Sequence, residues 1–88
     1  MIANIEVQDV TGQKRYRVRG ASGDDTVGQF TDRLLGRLNL PATSNDGQAL
    51  TYYARRDRDG RHLNRTELVS DTFQDNERVT LQPDISAG

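Results

Sequence analysis

DTVGQFTDRLLGRLNLP, residues 25–41, carries the helical period that decides how the rest of the chain is read. Thr26 and Gln29 have the spacing of a capping box, in which the Thr side chain accepts from the Gln29 backbone and the Gln29 side chain reaches back. A helix should therefore start after Thr26. Val27, Phe30, Leu34 and Leu38 recur at intervals of three and four and share one apolar stripe, while Gln29, Asp32, Arg33 and Arg37 face water. Gly28 and Gly36 each cost about 1 kcal/mol inside a helix, so packing of the stripe has to hold it. Asn39 suits a left-handed cap and Pro41 forbids continuation.

Toward the amino end, Ile5 and Val7 alternate with polar residues, Thr11-Gly12-Gln13 makes a turn, and Tyr16 and Val18 alternate with Arg15, Arg17 and Arg19. This is a β-hairpin with one buried face, closed by the breaker cluster Gly20-Ala21-Ser22-Gly23. Past the helix, residues 42–48 read as a polar loop and Leu50, Tyr52 and Ala54 as a third strand. The turn-rich Arg55–Gly60 leads to a short strand around Leu63. Thr66–Phe73 has apolar residues to bury in a span that suits a single helical turn, and Arg78–Leu81 alternates as the last strand. The order implies an α+β domain, one helix packed across a mixed four- to five-stranded sheet. The helical stripe is expected to lie on Ile5, Val7, Tyr16, Val18, Leu50 and Leu81.

At 88 residues the chain is a single small domain with a thin core. A hydrophobic content of 33% is polar for a globular protein but above a disordered composition. The net charge of -1 exerts no general pull toward nucleic acid or anionic lipid, so such a partner would need a local patch. The absence of Cys excludes disulfides, zinc-thiolate sites and thiol nucleophiles. No segment is long and apolar enough to cross a membrane and the first residues lack the pattern of a signal peptide, so the expected location is the cytoplasm. The chain holds 11 Arg and one Lys, Lys14, which fits either the codon bias of a GC-rich genome or a protein that does well to carry few amines.

Little here can carry catalysis. His62 is the single His, and Ser22, Ser44, Ser70 and Ser86 sit in loops or at the end with no second base, so a hydrolytic triad is not expected. Asp57-Arg58-Asp59-Gly60 brushes against a calcium-loop pattern, but the first ligand position would be Arg55, and a hairpin turn is the better reading. Arg15, Arg17 and Arg19 share a strand face and four more arginines crowd residues 55–61, as a patch for an acidic partner or as a solvated face. The glycines lack the spacing of a phosphate loop. No metal, cofactor, nucleic acid, membrane or enzymatic activity is expected.

The helix segment, with its Asp-Thr start and the separation of its apolar positions from Pro41, resembles that of ubiquitin. The opening IEVQDVTG resembles the first strand and hairpin turn of the same family, and ALTYYARRDRDGRHLNRTELVSDTFQDNERVTLQ resembles its second half with a slightly longer hairpin. The resemblance implies a ubiquitin-like β-grasp domain over residues 1–81 and a flexible carboxyl-terminal tail over residues 82–88. It further implies a protein modifier activated at Gly88 and recognised through Gln82, Pro83, Asp84, Ile85, Ser86 and Ala87. Val10, Thr51, Tyr53, Arg55 and Arg56 would form the partner surface, and Lys14 the site at which chains could grow. Implied partners are an E1-like activating enzyme, an E2-like conjugating enzyme, a JAB-type metalloprotease that removes the modifier, and target proteins. Ala87 stands where ubiquitin has Gly, and Thr51 and Gln82 stand where it presents apolar residues, which implies a diverged, prokaryotic modifier with dedicated enzymes. Two other roles remain open: a sulfur carrier that forms a thiocarboxylate at Gly88, and a β-grasp interaction subunit whose tail has no chemistry.

Overall fold

The computed structural model describes residues 4–41, 43 and 46–83. Helix α1 spans Val27–Arg37, and both halves of its capping box are present, Gln29 N donating to Thr26 Oγ1 at 3.2 Å and Thr26 N to Gln29 Oε1 at 2.9 Å. Two further amides of its first turn, which have no partner inside a helix, are taken by a distant loop: Val27 N donates to Glu67 O at 2.8 Å and Gly28 N to Arg65 O at 3.0 Å. The same loop returns the contact through Val69 N, which donates to Asp25 O at 2.9 Å. The start of α1 is thereby tied to the segment that follows the fourth strand. At the other end Asn39 takes a left-handed φ of 55°, which matches the expected stop.

Strands β1 (Ile5–Asp9), β2 (Arg15–Val18), β3 (Tyr52–Arg56), β4 (Arg61–His62) and β5 (Arg78–Pro83) form one sheet in the order β2-β1-β5-β3-β4. The two central strands β1 and β5 run parallel, with Val7 beside Val79, and the remaining pairs are antiparallel. A short second helix, α2 (Val69–Thr72), supplies the single turn expected between β4 and β5. The order of elements agrees with the α+β reading.

The core lies between α1 and one face of the sheet. Val27, Phe30, Leu34 and Leu38 are buried there with Ile5, Val7, Tyr52, Ala54, Val79 and Leu81, and Phe73 closes the α2 end with its ring 5.4 Å from that of Phe30. Each large side chain so buried contributes roughly 1.5–3 kcal/mol relative to exposure. Tyr16, Val18 and Leu50, expected inside, are only partly buried. The first two lie on an edge strand, which has sheet on one side alone, and Leu50 precedes β3, which begins at Tyr52.

The final strand is longer than the sequence reading has it. Gln82 and Pro83, assigned to the tail, continue β5 opposite Tyr53 and Tyr52. Pairing with β1 ends at Asp9 and Leu81, so these last two residues have β3 as their single neighbour and Pro83 can end the strand without leaving a central ladder short of a donor. Residues 84–88 lie outside the described part of the chain.

Candidate functional site

Strand alternation divides the last strand between two jobs. Val79 and Leu81 face the core, which sends Arg78, Thr80 and Gln82 to the face away from α1, where Gln8 of β1 and Tyr53 and Arg55 of β3 flank them. Thr80 is 2% exposed although it points away from the core, because a polar cluster closes over it. Its hydroxyl donates to Asp57 Oδ1 at 2.7 Å and accepts from Gln8 Nε2 at 3.2 Å, while Gln8 Nε2 also lies 3.3 Å from Asp57 Oδ2. Arg55 stands 3.8 Å from the same aspartate. The centre of this face is thus a hydrogen-bonded polar patch that joins β1, β5 and the β3–β4 turn.

Beside it, Tyr53 meets His62 with ring centroids 4.7 Å apart. Gln82, across from Tyr53, keeps its Oε1 buried without a hydrogen-bond partner. An acceptor left in this state costs about 1–3 kcal/mol, and it sits at the point where the chain leaves the sheet. Val10 is 54% exposed at the turn after β1, and Thr51 is exposed just before β3. Val10, Thr51, Tyr53 and Arg55 are therefore accessible or partly so.

Arg56 does not join them. It is one position out of phase with Tyr53 and Arg55, so its side chain emerges on the α2 side of the sheet. There Nη1 donates to Thr72 O at 2.8 Å, at the end of α2, and the rest of the guanidinium grips Asp59. That grip holds the Asp59 carboxyl well below the usual carboxylate range, outweighing the opposing effect of desolvation. Asp57 and Asp59 thus spend their oxygens on Thr80 and on arginine, which is the role of a hairpin turn, with Gly60 at φ 70°.

Lys14 is exposed, and its ammonium donates to Asn39 O at 2.8 Å, just past the end of α1. A cation is favoured there by the negative end of the helix dipole. Asp84, Ile85, Ser86, Ala87 and Gly88 are outside the described residues, so of the expected tail the geometry concerns Gln82 and Pro83. Sequence reasoning missed the Gln8–Thr80–Asp57 cluster. Alternation alone could have placed Thr80 and Gln8 on the outer face, but only the β1–β5 register reveals that they touch. Among the described residues no helix is long and apolar enough to cross a membrane.

No protein-family model matches the chain, and no curated protein matches it. Solved structures do. Ubiquitin of Caldiarchaeum subterraneum is 20% identical with a TM-score of 0.68, covering 98% of this chain and 98% of that one. The N-terminal ubiquitin-like domain of the 4931431F19Rik protein is 14% identical with a TM-score of 0.66, covering 99% of this chain and 79% of that one. The chain has the ubiquitin-like β-grasp fold.

Proposed function

We propose that this chain, built on the ubiquitin-like fold, is a protein modifier that is activated at Gly88 by an E1-like enzyme and transferred to targets through thioesters. The observation that carries the reading is the course of β5. The strand runs through the middle of the sheet, anchored on both sides as far as Leu81, and ends at Pro83, five residues before Gly88. Five residues span at most about 18 Å, which is the reach this reading gives the tail beyond the sheet. The reading requires Gly88 to be a free carboxyl end, natural or exposed by cleavage.

The chemistry is a sequence of acyl transfers. The Gly88 carboxylate attacks the α-phosphorus of ATP and releases pyrophosphate, an enzyme thiolate displaces AMP to form a thioester, and a target amine displaces the thiol to form an amide. In this reading the chain is the group transferred and supplies no catalytic side chain. Its own contribution is the anchored strand and the thin end Ser86-Ala87-Gly88. The E2-like enzyme, a JAB-type deconjugase and the target proteins complete the proposed partners, acting in the cytoplasm where ATP is available.

The test is ATP–pyrophosphate exchange with any E1-like enzymes of the source organism, using protein whose intact mass confirms an end at Gly88. Exchange that depends on the chain supports the reading. Exchange followed by incorporation of sulfide rather than thioester transfer would assign it to sulfur carriage, and no exchange with any of them would leave a β-grasp interaction subunit.

A further inference from the structure

Partner positions in a sheet lie side by side on one face, and the register here lines up two rows on the face away from α1. Arg15, Gln8, Thr80, Arg55 and His62 form one row through all five strands, and Arg17, Glu6 and Arg78 form a second beside it. Tyr53 of β3 adjoins the first row, its ring centre 4.7 Å from that of His62. Asp57 closes over Thr80 and Gln8 on the same face. Arg15, Arg17, Arg55 and Arg78 thus stand against two carboxylates, Glu6 and Asp57, on a molecule whose net charge is -1.

These four arginines are also the loosely held ones. Away from the two rows, Arg33, Arg58, Arg61 and Arg65 each meet a carboxylate at 2.7–3.4 Å, and Arg56 grips Asp59. Within the rows, Arg15 and Arg78 stand 3.9 and 4.0 Å from Glu6, and Arg55 stands 3.8 Å from Asp57. Arg17 has no carboxylate within 4.0 Å among the described residues. Arg15 keeps one donor on Gly12 O at 3.0 Å, and Asp57 spends its oxygens on Thr80 and Gln8. Guanidinium donors on this face therefore remain for an anionic ligand. The local patch that a nucleic acid requires of a near-neutral chain is present, assembled by the register from β2, β3 and β5.

We infer that this face of the sheet is a binding site for a single-stranded nucleic acid. Neighbouring strands lie about 4.8 Å apart, so the row from Arg15 to His62 crosses roughly 19 Å, the span of a few nucleotides. Phosphates would take the guanidinium groups of the two rows, and an unstacked base would lie on the Tyr53–His62 ring pair. An acidic protein fits less well. Among the described residues the strands present no aliphatic side chain to this face, and its centre is the hydrogen-bonded Gln8–Thr80–Asp57 cluster, so a protein partner would find no apolar anchor to bury. A duplex keeps its bases stacked and leaves the ring pair unused, and α1 packs on the other side of the sheet, so it cannot enter a groove from this face. The site is separate from the chemistry proposed at Gly88, and neither requires the other.

The probes are fluorescent oligouridylate and oligothymidylate of twelve nucleotides, compared with a DNA duplex of the same length and a poly-glutamate peptide of matched charge. Each is titrated with the full chain by anisotropy over a series of salt concentrations. A single strand should bind and move the amide shifts of β1, β2, β3 and β5 rather than those of α1, and a preference between the two says which nucleic acid occupies the face. The doubly substituted Arg17→Gln, Arg78→Gln chain should bind at least tenfold more weakly. The slope of log affinity against log salt should flatten by about 1.4, two phosphate contacts at about 0.7 each. Tyr53→Leu and His62→Ala should each weaken binding at least threefold and leave that slope unchanged, which separates stacking from charge. Arg17, Arg78 and His62 are exposed and Tyr53 is partly so, and circular dichroism should show the fold intact in every variant. Binding of neither strand, equal binding of the duplex or of the poly-glutamate peptide, or full affinity in both ring variants would each overturn the proposal.

Discussion

Arg65 lies directly across Gly28: a Cβ built on Gly28 would sit 3.2 Å from the Arg65 Cβ, Nε and Nη2. The arginine continues to Asp32 on the outer side of α1, with Nη2 2.7 Å from Oδ2. Its backbone carbonyl holds Gly28 N, so its Cβ cannot retreat far. The glycine is there for a close approach between a helix and a loop 37 residues later in the chain. Gly36 has nothing within 4 Å of the same built atom. Replacing Gly36 by Ala should therefore raise stability by about 0.5–1 kcal/mol through helix propensity. Gly28→Ala should lower stability despite the same intrinsic gain. Denaturant unfolding of the two variants checks the opposite signs.

Leu34 is buried in the middle of the helical stripe, in the core between α1 and the sheet. Leu34→Ala removes apolar contact and leaves a cavity, and should cost about 2–5 kcal/mol. For a domain of this size that is a large share of total stability. Thermal unfolding should show a large drop in Tm.

Asp59 sets an acid limit on the β3–β4 turn. Its folded-state pKa lies below the unfolded value, because Arg56 favours the charged form. The folded protein thus binds fewer protons than the unfolded chain as pH falls through the carboxylate range, and stability declines with falling pH. The contribution should be complete above about pH 5 and fade below about pH 4. In Asp59→Asn this acid-dependent part should vanish. The gap between the urea midpoints of the two proteins should be constant above about pH 5 and narrow between about pH 4 and pH 3.

Lys14 is the one side-chain amine, and it is engaged with the carbonyl of Asn39. If the chain acts mainly as a single tag, peptide mapping of its conjugates should find little linkage at Lys14. Substituting Lys14→Met should leave conjugation unchanged and cost about 0.3–1 kcal/mol through the lost interaction with the end of α1. Abundant Lys14 linkage would contradict single tagging.

The fold was legible because its signals are local. Thr26 and Gln29 announced the start of α1, Asn39 its end, and period-two alternation at Ile5/Val7, Tyr52/Ala54 and Val79/Leu81 identified three strands. What escaped depends on contacts between distant segments. Pro83 reads as a strand breaker until β1 is seen to stop at Asp9 and leave it one neighbour. Arg56 reads as one more surface arginine until α2 is placed beneath it, with Thr72 O as acceptor. Gln8, Asp57 and Thr80 come from three elements, and no spacing in the chain reports their meeting.

The central claim is that Gly88 carries the chemistry, and it is tested by charging the chain on its cognate activating enzyme with ATP and magnesium, resolved on a non-reducing gel. The account predicts a thiol-sensitive adduct with the full chain and with Ala87→Gly, and none after deletion of Gly88 or with Gly88→Asp, while circular dichroism and Tm of all four proteins agree because the buried core ends at Leu81 and β5 at Pro83. Undiminished charging without Gly88, or no charging of the full chain by any E1-like enzyme of the source organism, would contradict the account.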